Sequence, residues 1–180
     1  MDPDAGLLAA YAAGDPLAAR TLTARLGPRV LALARRMLAD EAEAEDVTQE
    51  AMMRLWKIAP DWRTGEAKVS TWLHRVAANL CLDRLRRRPT LPLDAAPEAP
   101  DPTPGAFETL AEADRAAALS AALDALPDRQ RAAIALRHFE GLANPAIAEA
   151  LGVSVEAVES LLARGRRALA VALAPHRAET

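Results

Sequence analysis

Trp72, Arg75, Asn79, Asp83 and Arg86 recur every three or four positions, so a helix over residues 69–88 would carry them on one stripe, with Leu73, Val76, Ala77 and Leu80 on another. An indole, a carboxamide and two guanidiniums in line offer what an unpaired base and its backbone require: a stacking surface, an edge reader and phosphate partners. The segment closes on Arg84, Arg86, Arg87 and Arg88, and all three tryptophans of the chain lie between Trp56 and Trp72, although aromatics make up only 3% of residues. A plainer arrangement fits the same residues. Trp62 and Trp72 would then be core residues and the arginines a solvated helix end favoured by the helix dipole.

A second arginine-bearing element closes the chain. In NPAIAEALGVSVEAVESLLARGRRAL, Asn144 reads as an N-cap with Pro145 behind it, Gly152 supplies a left-handed turn, and Ser154 caps the next helix. This is the helix-turn-helix pattern. On its second helix Val155, Val158, Leu162 and Leu169 share one face, and Glu156, Ser160, Ala163, Arg164 and Arg167 share the opposite one. Such a face can enter a major groove, reading base edges with Ser160 and Arg164 and holding phosphate with Arg167. A helical hairpin with a solvated basic face has the same pattern.

A third candidate is acidic. A helix from Glu41 to Ala59 would bury Val47, Ala51, Leu55 and Ile58 and present Asp46, Gln49, Glu50, Met53 and Lys57. A methionine among polar groups can fill a hollow on a partner helix while the carboxylates meet basic residues. A merely solvated face is the alternative.

Other chemistry is poorly supplied. Cys81 and His74 are seven positions apart on one helical face, about 10 Å, too far to share an ion. No nucleophile with a base, no paired acids and no phosphate loop occur, so neither an enzyme nor a metal or cofactor is expected. One cysteine, no apolar stretch of membrane-spanning length and the start MDPDAGLL, without a basic segment, read as a cytoplasmic protein with no membrane insertion. The net charge of -3 excludes a generic polycation coating DNA, so any nucleic-acid role must come from local clusters.

These residues need helices to position them. Composition is 51% hydrophobic with eight glycines, apolar residues recur at helical spacing, and no β-branched alternation appears, which predicts an all-α protein. Two helices are expected over residues 5–38, broken near Gly14, Asp15 and Pro16, with Gly27-Pro28 interrupting or kinking the second. Pro60 marks the end of the acidic helix, and Ser70 or Thr71 can cap the one that follows. Six of the thirteen prolines fall between Pro89 and Pro104, a predicted extended linker. Periodicity resumes at Phe107 for a helix to about Ala125, and Pro127 opens another that ends near Gly141.

EAEDVTQEAMMRLW, then STWLHRVAANLCLDRLRRR, then LPDRQRAAIALRHFEGLANPAIAEALGVSVEAVESLLARGRRAL resemble regions 2 and 4 of a bacterial RNA polymerase sigma factor of the extracytoplasmic-function (ECF) class, in that order over nearly the whole chain. The resemblance implies two small helical domains, region 2 over residues 1–88 and region 4 over 107–180, joined by a linker at 89–106. It implies that Asp46, Gln49, Glu50 and Met53 dock on core RNA polymerase. Trp72, Arg75, Asn79, Arg86 and Arg87 would take the unwound -10 promoter element, with Asn79 contributing to a pocket for a flipped base. Ser154, Glu156, Ser160, Arg164 and Arg167 would read the -35 element as duplex. Val69 stands where the family often has an aromatic residue, and Glu159 and Leu161 where it is often basic. The class is commonly held inactive by an anti-sigma protein wedged between the domains. A stand-alone helix-turn-helix regulator would explain the C-terminal motif but neither the acidic patch nor the tryptophan-arginine helix.

Overall fold

The computed structural model describes residues 2–65, 67–87 and 107–174, and these are helical, with no strand among the described residues. The order is α1 (Pro3–Ala12), α2 (Pro16–Leu38), α3 (Glu41–Ile58), a 3-10 turn (Ala59–Asp61), α4 (Val69–Arg87), α5 (Phe107–Asp124), α6 (Asp128–Ile134), a π turn (Ala135–Phe139), α7 (Asn144–Leu151) and α8 (Val155–Ala172). The proline-rich segment Pro89 to Pro104 expected as a linker, and Arg88, lie outside the described residues.

The first half is a bundle in which α2, α3 and α4 pack on one another and α1 lies against α2. Leu22, Leu26, Val30, Leu33 and Met37 of α2 meet Val47, Ala51 and Leu55 of α3 and Leu73 and Ala77 of α4, all buried. Of the expected interruption or kink at Gly27-Pro28, the interruption does not occur: α2 runs through both residues as one helix. Pro28 removes one donor and leaves the Ala24 carbonyl without its helical partner, and Leu22, Leu26, Val30 and Leu33 on the same buried face hold both turns in register. The helix stops at Ala39, which adopts a left-handed φ of 51°, and Asp40 then caps α3 through its side chain and the Glu43 amide at 2.9 Å.

The start of α4 corrects a second expectation. The helix begins at Val69, one residue ahead of Ser70, and neither Ser70 nor Thr71 caps it. A carboxylate 67 positions away does so. Oδ2 of Asp2 accepts from the Val69 amide at 2.7 Å while Oδ1 accepts from the Asp4 amide at 3.1 Å, so one side chain caps both α4 and α1. Each cap is worth on the order of 1 kcal/mol. Asp2→Ala is therefore expected to lower the melting temperature by about 4 °C or more, at roughly 2–4 °C per kcal/mol for a chain of this size, with Asp2→Asn recovering most of it. Differential scanning calorimetry of the two variants checks this, and an unchanged Asp2→Ala midpoint would refute the double cap.

In the second half, α6 packs on α8 and α7 on α8. Ile134, Leu136, Ile147, Leu151, Val158 and Leu162 are buried there. Gly152 takes the expected left-handed turn (φ 63°), and Oγ of Ser154 accepts from the Ala157 amide at 3.2 Å. Asn144, however, is the first helical residue and not the cap. Ala143 occupies the cap position without a side-chain bond, and Oδ1 of Asn144 is buried without a partner.

The two halves pack on each other and share one hydrophobic cluster. The α4 helix lies on α7, and α2 touches α5, α6 and the π turn. Arg131 of α6 is buried across this seam, and its Nη1 donates to the Met37 carbonyl in the last turn of α2 at 3.0 Å. Its Nη2 lies 3.2 Å from Asp128. A cation at that end complements the α2 dipole and satisfies a carbonyl that the helix itself cannot.

Candidate nucleic-acid and polymerase interfaces

Three surfaces carry the candidate residues. On α3, Asp46, Gln49 and Met53 are exposed and Glu50 is half-buried. Met53 shows 69% of its surface, which is unusual for a large apolar side chain in a packed bundle. The carboxylates beside it are partly engaged: Arg54 donates to Glu50 at 2.6 Å, and Arg84 of α4 approaches Asp46 at 3.7 Å and Glu50 at 3.9 Å.

On α4, the structure gathers part of the expected stripe into one cavity. Trp72 meets Trp62 edge to face, centroids 5.9 Å apart, and both line a hollow of about 350 Å³ with Ile58, Asp61, Arg63, Ala67, Arg75 and Glu149. Trp62 and Arg63 come from the loop before α4, which helical spacing alone could not assign to the site. Asn79 is exposed further along the helix, and Arg86 and Arg87 are exposed near its end, with Arg86 paired to Asp83. Arg87 is about 20 Å from Trp72 along the axis, so the stripe is a track and not one pocket. Trp56 belongs elsewhere, tilted against Tyr11 at 4.7 Å, where it fastens α1. Val69 is fully buried and lines none of this cavity.

On α8, Glu156, Glu159, Ser160, Arg164 and Arg167 are exposed while Val158 and Leu162 are buried, which is the expected division of faces. Ser154 is exposed as well, but its oxygen serves as the helix cap and its hydroxyl hydrogen is directed to the Glu156 carboxylate. The Glu156 carboxyl is held below its ordinary range by its own backbone amide and the Ser154 hydroxyl, so it stays ionised. Arg164 Nε donates to the Ser160 carbonyl at 3.3 Å, which lays its guanidinium along the helix. Leu161 is half-buried against the core, so it is not part of the reading face.

Sequence spacing also missed a buried polar seam. Nε2 of His74 on α4 lies 3.1 Å from Oε2 of Glu140, both side chains almost wholly buried, and Arg29 of α2 stands 3.7 Å from the same oxygen. Neither His74 nor that oxygen makes a well-aligned hydrogen bond. Alongside, the Arg36 guanidinium lies 4.0 Å over the Phe139 ring. Cys81 is buried on α4, and burial pushes its thiol up to about 12. Among the described residues no group of three or more His, Cys, Asp or Glu could hold a metal ion, and no helix is long and apolar enough to cross a membrane.

Two family models match the chain: Sigma-70 region 2 over residues 22–89 and Sigma-70, region 4 over residues 116–169. The ECF RNA polymerase sigma factor SigM of Mycobacterium tuberculosis is 40% identical over 170 residues, covering 93% of this chain and 83% of its own length. The chain belongs to the ECF RNA polymerase sigma factors. SigE of Mycolicibacterium smegmatis, another of that family, is 40% identical over 159 residues, 84% of this chain, and this chain spans 60% of its length. A solved structure of CnrH in complex with the cytosolic domain of CnrY shares 26% identity and a TM-score of 0.68, covering 98% of this chain and 99% of that one. The match over residues 22–89 accounts for the bundle that a stand-alone helix-turn-helix regulator leaves unexplained.

In this sigma factor the polar seam joins the region 2 match to the region 4 match, and it titrates. Burial first, and then Arg29, lower His74 from 6.5 to about 4, so the packed form keeps it neutral while an exposed imidazole takes a proton near 6.5. The packed form then binds fewer protons between those values, and its stability is complete above pH 6.5 and lost as pH falls toward 4, by at most on the order of 3 kcal/mol. Glu140 works against this, because burial raises its carboxyl above 4.5 and protonation there favours the packed form. Besides Glu140, the charged groups facing His74 are Arg29 and Lys68, with Arg36 acting on Glu140. Thermal unfolding between pH 7 and pH 5 is expected to fall more steeply for the parent chain than for His74→Gln. Parallel profiles would show that His74 titrates normally.

Proposed function

We propose that this chain is a promoter-specificity subunit that binds core RNA polymerase and directs initiation at promoters with a duplex -35 element and an unwound -10 element. Region 2 extends over residues 1–88, a linker over 89–106, and region 4 over 107–180. The face of Asp46, Gln49, Glu50 and Met53 docks on the polymerase, with Met53 as the apolar anchor. Trp72, Arg75, Asn79, Arg86 and Arg87 take the -10 single strand. The observation that carries this reading is the cavity of two tryptophans and two arginines at the start of α4, with room for a flat ring and cations for its phosphates. Stacking, edge hydrogen bonds and phosphate contacts there offset the few kcal/mol that extruding a base costs.

The exposed face of α8 enters the major groove at -35. Ser160 and Arg164 reach base edges, Arg167 holds phosphate, Ser154 turns its hydroxyl from Glu156 to phosphate, and the ionised Glu156 accepts from a cytosine amino group. The subunit performs no catalysis of its own, works in the cytoplasm without entering a membrane, and is controlled by an anti-sigma factor, as the CnrH and CnrY complex suggests by likeness.

Run-off transcription with core polymerase tests this. The parent chain is expected to open its promoter, and the Trp72→Ala, Asn79→Ala double variant to lose opening while still binding -35 duplex. Opening at the parent rate by the double variant would remove the role assigned to α4.

A further inference from the structure

We infer that Asp2 is a positioning residue for promoter recognition: from α1 it fixes the first turn of α4 and the loop before it, and so sets the two tryptophans of the proposed -10 cavity. This rests on the -10 reading of α4 given above. The α1 helix lies ahead of residues 22–89, the stretch that matches region 2, so that match gives it no task. Yet α1 reaches both ends of the loop that carries Trp62 and Arg63. At the near end it packs on the 3-10 turn Ala59–Asp61, and Tyr11 meets Trp56 just ahead of that turn. At the far end Oδ2 of Asp2 accepts from the Val69 amide at 2.7 Å. The helix is itself fastened to α2, where Arg25 lies 3.2 Å from Asp4.

Between those ends the loop has little to lean on. Arg63, Thr64, Gly65, Ala67 and Lys68 are exposed, and a hollow of about 1110 Å³ lies between α1 and the last four of them. A segment that buries so little along its length is placed by its ends. Ala67 lines both that hollow and the tryptophan cavity, so a shift of the loop is a shift of the cavity wall. Trp72, on the opposite side, belongs to the first turn of α4, the turn that Asp2 caps. With the carboxylate gone the Val69 amide turns to water and that turn frays, and any base that enters must first re-order it. Electrostatics acts in the other direction, because deleting an anion beside the site favours a polyanion. The sign of the effect therefore separates positioning from charge.

The test uses the full chain on core polymerase, with opening read by the permanganate reactivity of unwound thymines at its promoter, and amide hydrogen exchange of the free chain over residues 67–72. Both are run below the melting transition of every variant. Asp2→Ala is expected to lower the equilibrium constant of opening about fivefold, the equivalent of one lost cap, and to speed exchange at Val69. Its affinities for core polymerase and for -35 duplex should match the parent's. Asp2→Asn, with one acceptor oxygen for two amides, should fall between. Asp15→Ala is the control: it removes the same charge and an equivalent cap at the start of α2, where Asp15 accepts from the Leu17 amide at 2.9 Å, and it should open like the parent. Equal opening by Asp2→Ala and Asp15→Ala, or unchanged exchange at Val69, would overturn the inference. If instead the Trp72→Ala, Asn79→Ala variant opens at the parent rate while Asp2→Ala does not, it is the -10 reading of α4 that fails.

Discussion

Met53→Asp is expected to weaken binding to core RNA polymerase by about a hundredfold while leaving the fold intact. The side chain is 69% exposed, so nothing in the chain depends on it. Between Asp46, Gln49 and Glu50 it is the one large apolar group on its face of α3, the kind of side chain that anchors an otherwise polar contact. Truncating such an anchor costs roughly 2 kcal/mol, and placing an unpaired carboxylate in the hollow it leaves adds to this, giving on the order of 3 kcal/mol, or about two decades in affinity. Met53→Leu keeps the volume and should bind within a few-fold of the parent. Binding to immobilised core polymerase, with circular dichroism as the check on folding, measures both. Parent-like binding by Met53→Asp would move the polymerase contact off α3.

Gly165→Val is expected to destabilise the second half of the chain severely. Gly165 lies in the middle of α8, where glycine costs about 1 kcal/mol relative to alanine, and it is tolerated there because α6 passes too close for a side chain. A Cβ at that position would stand 2.8 Å from Cγ1 and 3.2 Å from Cδ1 of Ile134. Alanine can be admitted if Ile134 changes rotamer, and the gain in helix propensity offsets part of the strain. Valine adds two further methyl groups with no space to take them, and overpacking of this kind costs about 1–3 kcal/mol or more. The melting temperature should fall by about 5–10 °C for valine and by much less for alanine. Pairing Gly165→Ala with Ile134→Val should recover the loss, since the two sites share one contact. A Gly165→Val chain as stable as the parent would mean that α6 and α8 are further apart than described.

What could be read from the sequence is what short-range geometry decides. The helical class follows from apolar spacing within each segment. The turn at Gly152 and the cap at Ser154 need no information beyond their neighbours, and the exposed stripes of α3 and α8 follow from the buried residues opposite them. What escaped lies across long stretches of chain. Asp2 caps a helix 67 positions away, Arg131 serves the end of α2, and Glu149 meets Arg75, none of which any local pattern announces. The expected cap at Asn144 failed for a related reason: Ala143 turns the chain one residue earlier, which places Asn144 inside the helix. At Pro28 the local rule was sound and did not end the helix, because the buried face on both sides of it carries α2 on through a lost hydrogen bond. Trp62 and Arg63 joined the candidate site through a loop, whose course periodicity does not describe.

The single thiol of this chain is chemically silent. With Cys81 sealed inside the α4 packing and its thiol pushed up to about 12 by burial, the nucleophilic thiolate is scarce at neutral pH. Peroxide and electrophiles react with that anion, so among the described residues of the folded molecule the sulfur within their reach is the exposed thioether of Met53 and not the thiol. Chemistry at Cys81 has to wait until α4 leaves its packing.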